Sequence, residues 1–247
     1  MHIVLTTFDR KPPYVHDTLN ALFRNGNLLD LGAGASNSLT VLVTEKFSDK
    51  FETWLDEATD LHTNIEWLTD AQIQERDRLH PRQRTKLATR LALEMGADVV
   101  LQDDLDFAID WWPRFNALLP IDTSKLVVSL YYPQPARGGV GLCQWYARDY
   151  YGHQAMFYGE DTKAAAIEYL RDPRLEADDN AIARMLTKRQ DLLLYACVPS
   201  LVQHVGIVST LKSRGHRAPT FGLTIEECHA WLNKPRQPIT WPKKTGR

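Results

Sequence analysis

The chain has 247 residues, 44% of them hydrophobic, and a formal net charge of −2. That length suffices for one large core, no run of about 18 apolar residues is present to cross a membrane, and the near-neutral balance says little about partners, since a domain that tracks a phosphate backbone is usually clearly basic. Cys143, Cys197 and Cys228 are far apart and lack a C-x-x-C pair, so neither a disulfide framework nor a zinc site is indicated, and a reducing cytoplasm is the expected compartment.

In chain order, HIVLTT at residues 2–7 reads as a strand, broken by residues 8–13 before a helical pattern through Val15, Leu19, Leu22 and Phe23. A second strand is predicted at residues 38–44, a short helix at 51–58 and a short strand at 65–68. From residue 82 to 95, Leu87, Leu91 and Met95 form one apolar stripe, and Gly96 ends the helix before the buried strand ADVVLQ at 97–102. The second half yields strands at 126–132 and 154–158 around an irregular Gly-, Pro- and aromatic-rich stretch, helices at 161–171 and 178–188, and a strand at 192–198. This alternation predicts a single α/β domain with a mainly parallel, doubly wound sheet, whose ligands gather beyond the carboxyl ends of the strands.

Asp103, Asp104 and Asp106 stand at such an end, in VVLQDDLDF. Carboxylates crowded there repel one another, and a hard divalent cation with oxygen ligands removes the repulsion while bridging to a diphosphate. The same acids also suit a cap for a helix starting near Asp110, although a cap requires one carboxylate.

The segment RTKLATRLALEMGADVVLQDDLDF resembles the helix, strand and acidic turn of GT-A glycosyltransferases, whose D-x-D-type motif holds manganese or magnesium against the donor diphosphate. Asp104-Leu105-Asp106 matches D-x-D, and Asp103-Asp104 is similar to the E-D-D variant, with Gln102 in place of its first acid. Downstream, Pro199-Ser200-Leu201-Val202-Gln203-His204-Val205-Gly206 resembles the P-S-L-x-Q-H-x-G segment of N-acetylglucosaminyltransferase IV-like enzymes. The resemblance implies a GT-A, Rossmann-like fold and a nucleotide-sugar donor, a UDP-sugar above all. It implies Asp104, Asp106 and His204 as contacts of Mn2+ or Mg2+, with Asp103 and Asp104 also on the donor side. Thr6, Thr7, Phe8, Asp9 and Arg10 after the first strand, and Arg84 and Lys86 on the helix before the acidic turn, become donor-side candidates. Each also has a plain structural reading, as turn former or solvated charge.

Residues 1–107 are then the donor half and 108–233 the acceptor half, followed by a basic, Pro-containing tail at 234–247. The aromatics of 145–151 suit either core packing or an acceptor platform, and the acceptor is a glycan, a protein or a hydroxylated base in DNA. Asp179, with Asp178 second, is the expected base of an inverting displacement, lying in an acidic turn at a helix start where a capping role is equally natural. A nucleotide-sugar-binding protein without turnover is the alternative from another class. LLDLGAGAS at 28–36 resembles the first motif of S-adenosylmethionine-dependent methyltransferases, yet too few residues separate it from the next strand to form a crossover helix.

Overall fold

The computed structural model describes residues 1–7, 14–26, 37–44, 63–133, 139–205 and 217–233. Strand β1 (His2–Thr7) is followed by helix α1 (Val15–Gly26) and by β2 (Ser38–Val43), which pairs parallel to β1 with Ile3 opposite Leu39. Ile3, Leu5, Leu39 and Val41 pack with Val15, Leu19 and Leu22 of α1, while Val4 and Leu42 face the other side. Apolar residues on both faces are what a covered parallel strand requires.

Strand β3 (Thr63–Trp67) extends the sheet beyond β2. Helix α2 (Asp70–Asp77), absent from the sequence-based elements, starts at a capping box in which Thr69 and Gln72 satisfy each other's backbone N–H. Helix α3 (Pro81–Glu94) opens with proline in its first turn and buries Leu87 and Leu91. Gly96, at φ 84, then turns the chain: the Gly96 and Ala97 N–H groups donate to Leu93 and Ala92 carbonyls, and β4 (Val99–Gln102) follows. Left-handed backbone at this φ is where glycine is least strained.

After the acidic turn come β5 (Leu105–Phe107), α4 (Trp111–Leu118), β6 (Leu126–Ser129), β7 (Gly141–Gln144) and β8 (Ala155–Tyr158). The chain continues as α5 (Glu160–Leu170), α6 (Asp178–Lys188), β9 (Leu193–Val198), β10 (Val202–His204) and α7 (Ile225–Leu232). The main sheet has the order β3-β2-β1-β4-β8-β6-β9-β7, and β10 pairs with β5 in a separate two-stranded ribbon. Pairs β1–β2, β2–β3, β1–β4 and β6–β9 are parallel, whereas β8 is antiparallel to both its neighbours and β7 is antiparallel to β9. The single α/β domain with a mainly parallel sheet is as the alternation of elements predicts.

Two apolar layers sandwich this sheet: α1 and α4 with the aromatic group Phe107, Trp111, Trp112 and Phe115 on one side, α3, α5 and α6 on the other. The strand predicted over 126–132 stops at Ser129, because Tyr131 and Tyr132 leave the ladder while remaining buried. The helix expected at 51–58, the glycine segment at 28–36 and the basic tail at 234–247 lie outside the described residues. Among the described residues no helix is long and apolar enough to cross a membrane.

Candidate functional site

The acidic turn sits where β4 leaves the sheet, and hydrogen bonds from two other elements fix its backbone. Thr18 of α1 donates its hydroxyl to the Asp103 carbonyl at 2.7 Å and accepts the Leu105 N–H at 3.0 Å. From the ribbon side, the Val205 N–H donates to the Asp104 carbonyl at 2.9 Å. Both Asp103 and Asp104 are buried, and Asp106 is half-buried with Oδ1 accepting the Phe107 N–H. Capping of α4 does not explain this cluster. The residue before α4 is Asp110, which makes no side-chain cap hydrogen bond.

The motif 199–206 accounts for the partner strand through residue 205. Ser200, fully buried, has its N–H on Thr220 Oγ1 at 3.0 Å, places its hydroxyl near the Leu130 and Val202 carbonyls, and accepts the Tyr132 N–H. Gln203 holds the Ala218 N–H at 2.8 Å through Oε1. These ties set the register of β10 against β5, with Gln203 opposite Asp106 and His204 opposite Leu105. His204 Nε2 consequently meets Asp104 Oδ2 at 2.8 Å, across 100 positions of sequence. The Tyr131 ring stands edge-on to the imidazole, and burial, with smaller effects of Tyr151 and Asp104, holds its hydroxyl well above the ordinary tyrosine range.

Among the described residues no group of three or more His, Cys, Asp or Glu is arranged to hold an ion by itself. The Asp104–His204 pair nevertheless fits a hard cation that completes its shell with phosphate and water. The 2.8 Å between Nε2 and Oδ2 is the length of the hydrogen bond they share, which a cation between them would replace, and Mg2+ is commonly held by one or two carboxylates plus substrate phosphates.

The donor-side candidates divide. Thr6 Oγ1 donates to the Leu101 carbonyl at 3.0 Å, tying β1 to β4, and Thr7 is buried at the carboxyl end of β1, where its carbonyl accepts the Thr44 hydroxyl. Phe8, Asp9 and Arg10 lie outside the described residues. Arg84 lines a small cleft with Thr44 and Arg76, just past the end of β2. No sequence pattern marks Arg76, whose Nη1 donates to the Thr44 carbonyl at 2.7 Å. Lys86 has a different setting: its buried ammonium donates to the Asp172 and Leu175 carbonyls, each at 2.7 Å, as a tether between α3 and the turn before α6. Burial lowers its pKa, against the opposing charge of Asp172.

Asp178 and Asp179 begin α6. Because β9 runs parallel to β6, and β6 and β4 are each antiparallel to β8, β9 runs parallel to β4. Only residues 189–192 join α6 to β9, so the amino end of α6 lies at the same end of the sheet as the acidic turn. Asp178 is 5% exposed, and it accepts the Thr89 hydroxyl at 3.2 Å and the Asp179 N–H at 2.9 Å. Burial pushes its carboxyl up to about 6. Asp179 is more open, and burial followed by the charge of Asp178 raises its pKa too.

Beside them, His153 is buried with Nδ1 on Tyr150 Oη and Nε2 on Tyr158 Oη, both at 2.7 Å, and burial depresses it to about 4. Trp145 and Tyr150 of the aromatic stretch belong to the core, whereas Tyr146 is exposed with the Arg148 guanidinium 5.4 Å from its ring centroid.

No family model and no curated protein matches the chain. Solved structures do. Staphylococcus aureus TarS 1–349 in complex with UDP-GlcNAc is similar with a TM-score of 0.50 at 10% identity, covering 94% of this chain and 64% of that one. The fold is that of GT-A glycosyltransferases. At such identity the likeness is one of fold, and this chain spans only 56% of TarS 1–349 in its UDP complex. Weaker likenesses include a mannosyltransferase from Pyrobaculum calidifontis in complex with GDP-Man and Mn2+ (TM-score 0.47, 13% identity, 94% of this chain and 69% of that one). Another is a putative glucose-1-phosphate thymidylyltransferase from Bacillus anthracis (TM-score 0.45, 11% identity, 96% of each chain).

Proposed function

We propose that the protein is a metal-dependent glycosyltransferase that moves a hexosyl or N-acetylhexosaminyl group from a nucleotide diphosphate sugar, best a UDP-sugar, to an acceptor hydroxyl. The observation that carries this reading is the contact between Asp104 and His204 at the carboxyl end of β4. Ligands of open α/β sheets bind at such ends. The two residues come from the two segments that resemble GT-A enzymes, the second similar to N-acetylglucosaminyltransferase IV-like proteins. TarS in complex with UDP-GlcNAc supports a uridine donor.

Residues 1–107 form the donor half in this account and 108–233 the acceptor half. Asp104 with His204 holds Mn2+ or Mg2+, donor phosphate and water completing the shell, and Asp106 joins as a further ligand only once its side chain turns from the ribbon face it shares with Gln203. When bound, the ion supplies Lewis-acid stabilisation of the departing diphosphate. Thr7 and Arg84 are the donor-side candidates near the ends of β1 and β2, and Thr6 supports them from within the sheet. Phe8, Asp9 and Arg10 stay candidates by sequence resemblance, and Asp103 belongs to the acidic turn on the donor side. Asp179 takes the proton of the acceptor hydroxyl as that oxygen attacks the anomeric carbon, inverting its configuration. Asp178, second choice for this role, is too enclosed to reach an acceptor directly and raises the basicity of its neighbour instead. The acceptor is a glycan, a protein or a hydroxylated base in DNA, and the setting is cytoplasmic.

Incubation with a panel of nucleotide sugars and Mn2+ tests the reading. Release of nucleoside diphosphate, faster with acceptor, is expected from one donor. Binding of a nucleotide sugar without release identifies a binding protein that lacks turnover, and binding of S-adenosylmethionine without metal dependence identifies a methyltransferase.

A further inference from the structure

Parallel strands covered on both sides are ordinarily apolar on both faces. Toward α2 and α3, β2 and β3 depart from this: Ser38, Thr40, Asn64 and Glu66 alternate with Leu39, Val41 and Ile65, and Thr40 pairs directly with Asn64. The polar residues line a cleft of about 580 Å³, with Gln72 on its wall and Trp67, 44% exposed, also at its lining. The volume is within the range of about 300–1,000 Å³ for small-ligand clefts. The cleft shares no lining residue with the acidic turn or with β10, and it reaches the amino ends of β1 and β2 at His2 and Ser38.

The lining chemistry selects a ligand class. Among the described residues no lysine or arginine lines the cleft, which disfavours phosphates and other anions. Glu94 is engaged by Arg171 at 2.7 Å, leaving Glu66 as the carboxylate that faces the cleft without an ion pair to a described residue. Gln72 uses Oε1 on the Thr69 N–H, so its amide nitrogen remains as a donor. Asn64 both donates and accepts, the exposed Ser38 hydroxyl does the same, the buried Thr40 hydroxyl is engaged by His2 Nε2 at 2.9 Å, and Leu91 and Met95 add apolar surface. Amides, a carboxylate and a hydroxyl beside the apolar surface of Leu91 and Met95 match the alternating hydroxyls and C–H faces of a pyranose.

We propose that this cleft binds a neutral oligosaccharide, independently of the acidic turn and of any nucleotide. The test uses the full chain, ¹⁵N-labelled, with no donor or metal, titrated with maltotetraose, mannotetraose and tetra-N-acetylchitotetraose, and with inorganic phosphate as the anionic control. At least one saccharide should move the Asn64 and Gln72 side-chain amide signals in a saturable way. Asn64→Ala with Glu66→Ala, two exposed positions, should weaken that binding by about tenfold or more, while Asp106→Ala leaves it unchanged. Silence of these signals toward all three saccharides, shifts confined to other surfaces, or a stronger response to phosphate would overturn the proposal. Because no donor is present, none of these outcomes bears on the transfer reaction, and failure of transfer leaves this binding as it is.

Discussion

Replacing Asp178 with Asn should uncover a pH dependence that the wild-type protein conceals. Burial pushes Asp178 up to about 6 from 3.8 and His153 down to about 4 from 6.5. At about 1.4 kcal/mol per pK unit, each displacement amounts to about 3 kcal/mol, with opposite signs. Asp178 binds its proton more tightly in the fold than in the unfolded chain, so its contribution is fully present below pH 3.8 and is lost as pH rises through about 6. His153, held neutral, contributes stability above pH 6.5 that is lost as pH falls through about 4. Across the shared window the two nearly cancel. Asp178→Asn keeps an oxygen for the Asp179 N–H, and its amide can donate to the Thr89 hydroxyl in place of accepting from it. Urea unfolding of both proteins at several pH values between about 4 and 7 measures the difference. The variant should match wild type near pH 4 and exceed it by about 3 kcal/mol at pH 7, and its own stability should fall more steeply with acid. An equal difference at every pH, or a variant weaker at pH 7, would refute the assignment of Asp178 as a buried carboxylate that ionises at a cost.

Asp179→Asn should keep donor affinity while transfer falls by about a hundredfold or more, and a product that retains the donor's anomeric configuration would count against the base. Gly159→Ala places a Cβ 1.8 Å from the Thr123 carbonyl oxygen, a backbone atom with little room to yield, so a loss of about 3 kcal/mol or more is expected in thermal or urea unfolding. Lys86→Met removes both donors to the Asp172 and Leu175 carbonyls, and a loss of about 1–3 kcal/mol is expected with unaltered donor binding. A weakened donor affinity instead would return Lys86 to the phosphate side.

What the sequence conveys depends on how far each signal reaches. Strands β1, β2 and β4 and helices α1, α3 and α6 announce themselves by local periodicity, and they suffice for the parallel half of the sheet. Helix α2 buries none of its residues, so it has no apolar stripe to detect, and its trace is the capping pair Thr69 and Gln72. The β5–β10 ribbon is three residues long on each side, and its pairing joins Leu105 to His204, a contact no window of sequence contains. The motif resemblance marks His204, while the hydrogen bonds that place it come from Ser200 and Gln203. Thr18 lies on the apolar stripe of α1 as a polar residue between Val15 and Leu22, a sign of an internal partner that becomes specific only when Asp103 is brought near. Lys86 reads as a solvated helix face until the turn before α6 covers it, and nothing local separates buried Asp178 from its more open neighbour.

The most direct test of the central claim is calorimetric titration of UDP, with and without Mn2+, into the wild-type chain and into Asp104→Ala and Asp106→Ala. The account predicts that Mn2+ tightens UDP binding to wild type by at least about tenfold and that both variants, folded by circular dichroism, lose this enhancement. Equal UDP affinity with and without Mn2+ in wild type, or an undiminished Mn2+ effect in both variants, would contradict it.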